Sequence, residues 1–203
     1  MDKMSRQLKI YYYLITRHFH GPEEFINDFG IGIRMLQRDL KDLRDAGVIN
    51  VKYDKEENNY VIVDDGCFDE SAPTRRKEHL TRLHRLATLI NNLSETDIEE
   101  LEHYESAVEE YYYSIELFSE IPEGETEYER YEREDLLEFT LEEGLPEKPV
   151  LADLKAEYYA LFPDSYERKR QRDFKALSDA GFKIEYNQTF KAYTFIAPDH
   201  DFS

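Results

Sequence analysis

The sequence predicts a mainly α-helical chain with two small β-hairpin wings, built as two like modules joined by an α-helical region. Three observations lead there. Residues 37–47, QRDLKDLRDAG, return as residues 171–181, QRDFKALSDAG, identical at eight of eleven positions, and an internal repeat of this kind marks a duplicated structural unit. Apolar residues recur at helical spacing through most of the chain, and each repeat is followed by two short β-branched and aromatic runs around a polar tip. At 203 residues, 40% hydrophobic and 14% aromatic, the chain can bury two or three small cores. The expected boundaries are residues 1–65, 66–124 and 125–203.

In the first module, residues 5–19 place Leu8, Tyr12, Ile15 and Phe19 on one helical face, with Tyr11, Leu14 and His18 beside them. That is the pattern of a core-facing helix, and aromatic residues at this spacing usually fill a core. Gly21 and Pro22 break the chain, and residues 22–30, PEEFINDFG, predict a short helix with Pro in its first turn and a stop at Gly30. Residues 33–46 predict a third helix, with Leu36, Leu40 and Leu43 on one face and Gly47 just past its end. VINVKY and YVIVDD then flank the polar DKEENN as the strands of a hairpin. Three helices followed by a two-stranded wing describe a winged helix-turn-helix.

The run Arg34-Met35-Leu36-Gln37-Arg38-Asp39-Leu40, followed by Leu43, Ala46, Gly47 and a hairpin ending in Tyr60, resembles the N-terminal winged helix of bacterial DeoR-like and WYL-associated transcriptional regulators. Those proteins carry an Arg-Thr-Ile-x-Arg-Asp-Leu pattern here, and Met35 stands in place of the usual Thr. The resemblance covers roughly residues 4–64. It implies a cytoplasmic, DNA-binding regulator of transcription. The chain contains no Trp, hence no Trp-Tyr-Leu signature, and it is too short for the ligand-sensing domain that bears it. An effector is therefore left open.

Residues 67–73 read as a linker. Residues 75–93 then predict a helix with Leu80, Leu83, Ala87, Ile90 and Leu93 at three and four spacing, and residues 95–121 an acidic helix striped by Leu101, Tyr104, Val108, Tyr111, Ile115 and Phe118. The pair suggests a helical hairpin, a dimer interface, or both. After a turn, residues 126–145 predict another helix, residues 150–163 a short one, and residues 165–182 the second copy of the third helix, capped by Ser165. A second wing follows, with Tyr186 and Tyr193 in the places of Tyr53 and Tyr60.

Net charge is −19, which excludes a whole-surface coat for nucleic acid. Residues 65–150 hold −17 of it, so either end can still present a basic face. No apolar run reaches membrane-spanning length, and the single Cys67 fits a reducing compartment. No catalytic constellation, cofactor loop or metal-spaced His/Cys set is present, His79 and His84 being five apart. No enzyme activity and no cofactor are expected.

A helix that reads duplex DNA needs cationic and amide side chains opposite its core stripe, Arg for guanine edges, Gln for adenine, Lys for phosphates. In the first copy these are Arg34, Gln37, Arg38 and Lys41, with Lys52 and Lys55 on the wing. In the second they are Arg168, Lys169, Gln171, Arg172 and Lys175. In the bland alternative the first set are solvated charges paired with Asp39, Asp42 and Asp45. Arg170 aligns with the core position Leu36, so either the second helix is rotated or its core is thinner. The expected partners are duplex DNA and a second copy of the chain, with no membrane. The competing reading is an acidic protein-interaction module or DNA mimic that uses winged helices for assembly.

Overall fold

The computed structural model describes residues 1–16, 21–96, 98–119, 124, 126–143, 152–188 and 191–198. His18, Phe19 and His20 lie outside these residues. The described chain is mainly helical, with two separate two-stranded antiparallel sheets. In order, the elements are α1 Lys3–Thr16, α2 Pro22–Phe29, α3 Ile33–Asp45, β1 Asn50–Asp54, β2 Asn59–Asp64, α4 Thr74–Asn92, α5 Ile98–Ser119, α6 Glu127–Glu143, α7 Leu154–Leu161, α8 Glu167–Asp179, β3 Lys183–Asn187 and β4 Ala192–Ile196. No described helix is long and apolar enough to cross a membrane.

The chain divides into one compact unit of residues 1–95 with 153–203 and another of residues 96–152. These breaks differ from the expected ones at 65/66 and 124/125. Both copies of the repeat fall in the first unit, and the acidic helices form the second.

Within the first unit the copies match element by element. Leu36, Leu40 and Leu43 of α3 are buried, as are their counterparts Arg170, Phe174 and Leu177 of α8. Both helices end at a glycine with positive φ, +69° at Gly47 and +97° at Gly181, where a residue with a Cβ is strained. Both hairpins share one register, with Tyr53 opposite Tyr60 and Tyr186 opposite Tyr193, the rings 5.4 and 5.2 Å apart. In the short helices, Phe25 and Phe29 of α2 correspond to Tyr158 and Phe162 at the end of α7, pairs 6.0 and 5.4 Å apart. Asp153 caps α7 by accepting from the Lys155 and Ala156 N–H groups. Ser165 does not cap α8; that place falls to Tyr166, which makes no side-chain cap bond.

One correspondence is only half written in the repeat motif, which holds Asp39 and Asp173 but not their partners. Arg6 of α1 grips Asp39 of α3, Nε to Oδ2 at 2.7 Å and Nη2 to Oδ1 at 3.3 Å. Arg85 of α4 pairs with Asp173 of α8, Nη2 donating to Oδ1 at 3.1 Å while Nε lies 2.9 Å from Oδ2 without a hydrogen bond. Thus α4 stands to α8 as α1 stands to α3. The exchange is reciprocal, because α1 and α4 pack on each other and each also touches both α3 and α8. Residues 96–152 are inserted between α4 and α7.

This packing corrects the face expected for the first helix. Ile15 is exposed and Tyr12 half-buried, whereas Leu8, Ile10, Tyr11, Tyr13 and Leu14 are buried. A helix that serves two modules and α4 is covered on more than one side, so a single stripe underestimates its core. On α4 and at its C-cap the expected Leu80, Leu83, Ala87, Ile90 and Leu93 are buried, together with Leu86 and Leu89.

In the second unit, α5 and α6 pack on each other. The Thr126 hydroxyl and N–H engage the Glu129 carboxylate at the start of α6 in a capping box. Tyr104, Val108 and Tyr111 are half-buried, and Ile115 is exposed.

Candidate nucleic-acid interface

On α3, cations and carboxylates alternate along the sequence, and the helix sorts them onto opposite faces. Asp39, Asp42 and Asp45 are buried, at 1%, 8% and 8% exposure, while Arg34, Gln37, Arg38 and Lys41 are exposed. The inward carboxylates are occupied. Asp39 holds Arg6 and accepts from Gln7 Nε2 at 3.0 Å. Asp42 takes Lys3 at 2.7 Å, Arg76 at 3.2 Å and Gln7 at 3.0 Å. Asp45 takes Arg76 at 2.6 Å and Arg44 at 3.0 Å.

Burial pushes the Asp42 carboxyl up, but hydrogen bonds and charge from Lys3, with Arg76 and Gln7, outweigh it and hold the group below its ordinary value. The carboxylates are therefore not partners of the outward cations. Among the described residues, Arg34, Arg38 and Lys41 make no ion pair. Asp39 is bonded to Arg6 and Gln7, not to its neighbour Arg38.

The reason lies in the helix period. Residues 39, 42, 43 and 46 follow the core face and residues 34, 37, 38 and 41 the opposite one, so adjacent charges diverge by about 100°. Arg34 and Arg38 lie one turn apart with Gln37 beside them. Lys52 on β1 and Lys55 in the hairpin turn are exposed as well.

On α8 the same outward positions carry Arg168, Gln171, Arg172 and Lys175, all exposed, with Lys169 half-buried. This face is partly satisfied by its own helix. Gln171 donates to Glu167 at 2.9 Å, Lys175 pairs with Asp179 at 3.1 Å, and Arg172 donates to the Tyr166 hydroxyl at 3.2 Å. Of the two helices, α3 presents the freer set of donors.

Arg170 settles the alignment puzzle without any rotation of α8. It occupies the core position of Leu36 at 2% exposure, and its guanidinium lies 4.9 Å from the Phe174 ring centroid and 4.8 Å from that of Tyr193. Its Nη2 donates to Glu167 at 2.6 Å. That bond, with Tyr159 and Gln171 helping, holds the Glu167 carboxyl down at about 2. Burial opposes the charge on Arg170, yet Glu167 and Tyr193 leave its pKa raised.

Sequence reasoning missed Lys3, Arg6, Gln7, Arg76 and His79, which fix the inner side of α3. His79 Nε2 lies 2.8 Å from Gln7 Oε1, so the ring donates to that oxygen while the Gln7 amide donates to Asp39 and Asp42. Burial, reinforced by the Lys3 charge, holds His79 below its ordinary 6.5. No local signal announces this network, because its members come from three helices. Cys67 is exposed, and among the described residues no group of three or more His, Cys, Asp or Glu is placed to hold a metal ion. Compared with family models, curated proteins and solved structures, the chain matches none.

Proposed function

We propose that this chain is a sequence-specific duplex-DNA-binding regulator of transcription, with α1–α3 and the β1–β2 wing acting as a winged helix-turn-helix like that of the DeoR-like and WYL-associated regulators. The observation that carries the reading is the sorting of charge on α3. Its three carboxylates are buried and neutralised from within, and Arg34, Gln37, Arg38 and Lys41 are left outward, the three cations making no ion pair among the described residues. A face of two arginines one turn apart with an amide between them suits base edges in a major groove, and Lys41, Lys52 and Lys55 suit the flanking phosphates.

The acidic total does not oppose this. Residues 96–152 contain 20 Asp and Glu against 3 Lys and Arg, so the unit that carries both copies has a net charge of −2. With α8 as a second, more self-paired head, one chain already carries the pair of helices that a homodimer assembles from two.

The test is binding to genomic duplex fragments at several salt concentrations, with sedimentation giving the number of chains per complex. Salt-sensitive, sequence-selective binding is expected. Arg34→Ala and Arg38→Ala are each expected to cost about 1–3 kcal/mol and to relax selectivity. Absence of salt-sensitive binding to any duplex refutes the proposal. The second reading, an acidic interaction module, draws on residues 96–152, where Tyr112, Tyr113, Tyr128 and Tyr131 are exposed among the carboxylates. Co-purification of a basic DNA-binding protein, unaffected by the two Arg variants, would favour it.

A further inference from the structure

The two Arg–Asp clamps each border a cleft, and the clefts have diverged. Between α1 and α3 the lining is Lys3, Arg6, Met35, Arg38, Asp39, Lys41 and Asp42. Here Lys3 is neutralised by Asp42 and Arg6 by Asp39, leaving Arg38 and Lys41 on the outward rim without an ion pair. Between α4 and α8 lies a cleft of about 480 Å³ whose lining includes the counterparts Arg82, Arg85, Lys169, Arg172 and Asp173.

Arg85 is again neutralised by Asp173, but two replacements alter the rest. Lys169 stands where the first copy has Met35, and Ala176 stands where it has Asp42. The cleft thereby gains one cation and loses the carboxylate that would answer Arg82, the counterpart of Lys3.

Arg82, Lys169 and Arg172 make no ion pair among the described residues. Arg82 reaches the Arg172 carbonyl at 3.5 Å, and Arg172 contacts the Arg168 carbonyl at 3.3 Å and the Tyr166 hydroxyl. The other charged groups of the lining are Lys77, which pairs with Glu70, and Glu78. Three cations from two helices thus share one concavity that holds a single further carboxylate, and Thr74 and Thr81 add hydroxyls to its wall. Like charges so gathered are relieved by a multivalent anion, and guanidinium groups match phosphoryl oxygens two at a time.

We propose that the α4–α8 cleft is a phosphate-binding site in which Arg82, Lys169 and Arg172 hold the phosphoryl oxygens. The phosphate belongs either to a duplex backbone or to a free phosphorylated small molecule. The site does not depend on base reading by α3.

The experiment uses the full chain and two probes at constant ionic strength, inorganic pyrophosphate by calorimetry and a random-sequence duplex by fluorescence polarisation. The key variant, Lys169→Met with Ala176→Asp, converts the cleft to the first copy's pattern; Arg82→Gln, at an exposed position, is the second. If the phosphate is free, pyrophosphate binds the wild type saturably; Arg82→Gln weakens it roughly ten- to a hundredfold, the loss of one charge-assisted hydrogen bond, and the double variant, which removes Lys169 and occupies Arg82, weakens it further.

If the phosphate is a backbone one, pyrophosphate does not bind; the variants weaken the random duplex and lower its salt slope, by about one for Arg82→Gln and by more for the double variant. Binding of both probes unchanged in both variants overturns the proposal, as does binding of neither probe to the wild type. Arg34→Ala with Arg38→Ala leaves pyrophosphate binding intact. Loss of base reading and loss of the cleft are therefore separable.

Discussion

Replacing Asp39 by alanine removes the carboxylate on which the inner face of α3 converges. Asp39 is 1% exposed and its partner Arg6 13%, so the substitution leaves a guanidinium almost without water or counter-ion. Breaking a buried pair from one side costs about 3–5 kcal/mol. The lower end applies here, because Arg6 keeps some solvent contact and the Gln7 amide keeps Asp42 at 3.0 Å. A loss of about 3 kcal/mol corresponds to a fall of roughly 6–12 °C in Tm for a chain of this size.

The assay is thermal and urea unfolding of Asp39→Ala, Arg6→Ala and the double variant. A coupling of about 2 kcal/mol is expected, since each single change strands the other group. Arg6→Met with Asp39→Leu, which removes both charges and refills the space, is expected to recover most of the stability. A loss below about 1 kcal/mol for Asp39→Ala, the range of exposed pairs, with no coupling to Arg6, would refute the reasoning. The exposed Lys77–Glu70 contact is the internal control. The matching Asp173→Ala also strands the Tyr158 hydroxyl, which donates to Asp173 at 2.9 Å.

His79 makes stability depend on pH. Its pKa in the folded chain lies below the ordinary 6.5, so the unfolded chain binds the proton more readily. Stability is full above about pH 6.5 and falls as pH drops toward the folded-state value. His79→Gln is expected to flatten urea midpoints between about pH 7 and 5, and parallel pH profiles for the two proteins would disprove the assignment. Arg170→Leu gives the second copy the residue of the first. Because the Arg170 Nη1 is buried without a hydrogen-bond partner, Leu is expected to cost less than about 1 kcal/mol or to stabilise, whereas Ala costs roughly 3 kcal/mol. In the Leu variant the Glu167 carboxyl is expected to rise from about 2 toward its ordinary 4.5, read by NMR titration.

Local pattern carried much of the fold into view. The third helix of each copy, its glycine stop and the hairpin register of Tyr53 with Tyr60 and Tyr186 with Tyr193 follow from helical and strand periods and from a repeat of eleven residues. The outward set Arg34, Gln37, Arg38 and Lys41 was legible for the same reason. The fate of the interleaved carboxylates was not. A helical wheel places Asp39 and Asp42 near the core face but does not say whether anything there will neutralise them.

By itself, the sequence determined the repeat, the elements within each copy and the confinement of negative charge to a central stretch, because these depend on neighbours in the chain. Only the tertiary structure decided that α4 serves the second copy as α1 serves the first, across an insertion of residues 96–152. It alone turned Asp39, Asp42 and Asp45 onto Arg6, Lys3 and Arg76, and it alone gathered Arg82, Lys169 and Arg172 around one cleft. These are pairings between residues 30 to 90 positions apart. They are set by which helices pack together, a choice that no local period encodes.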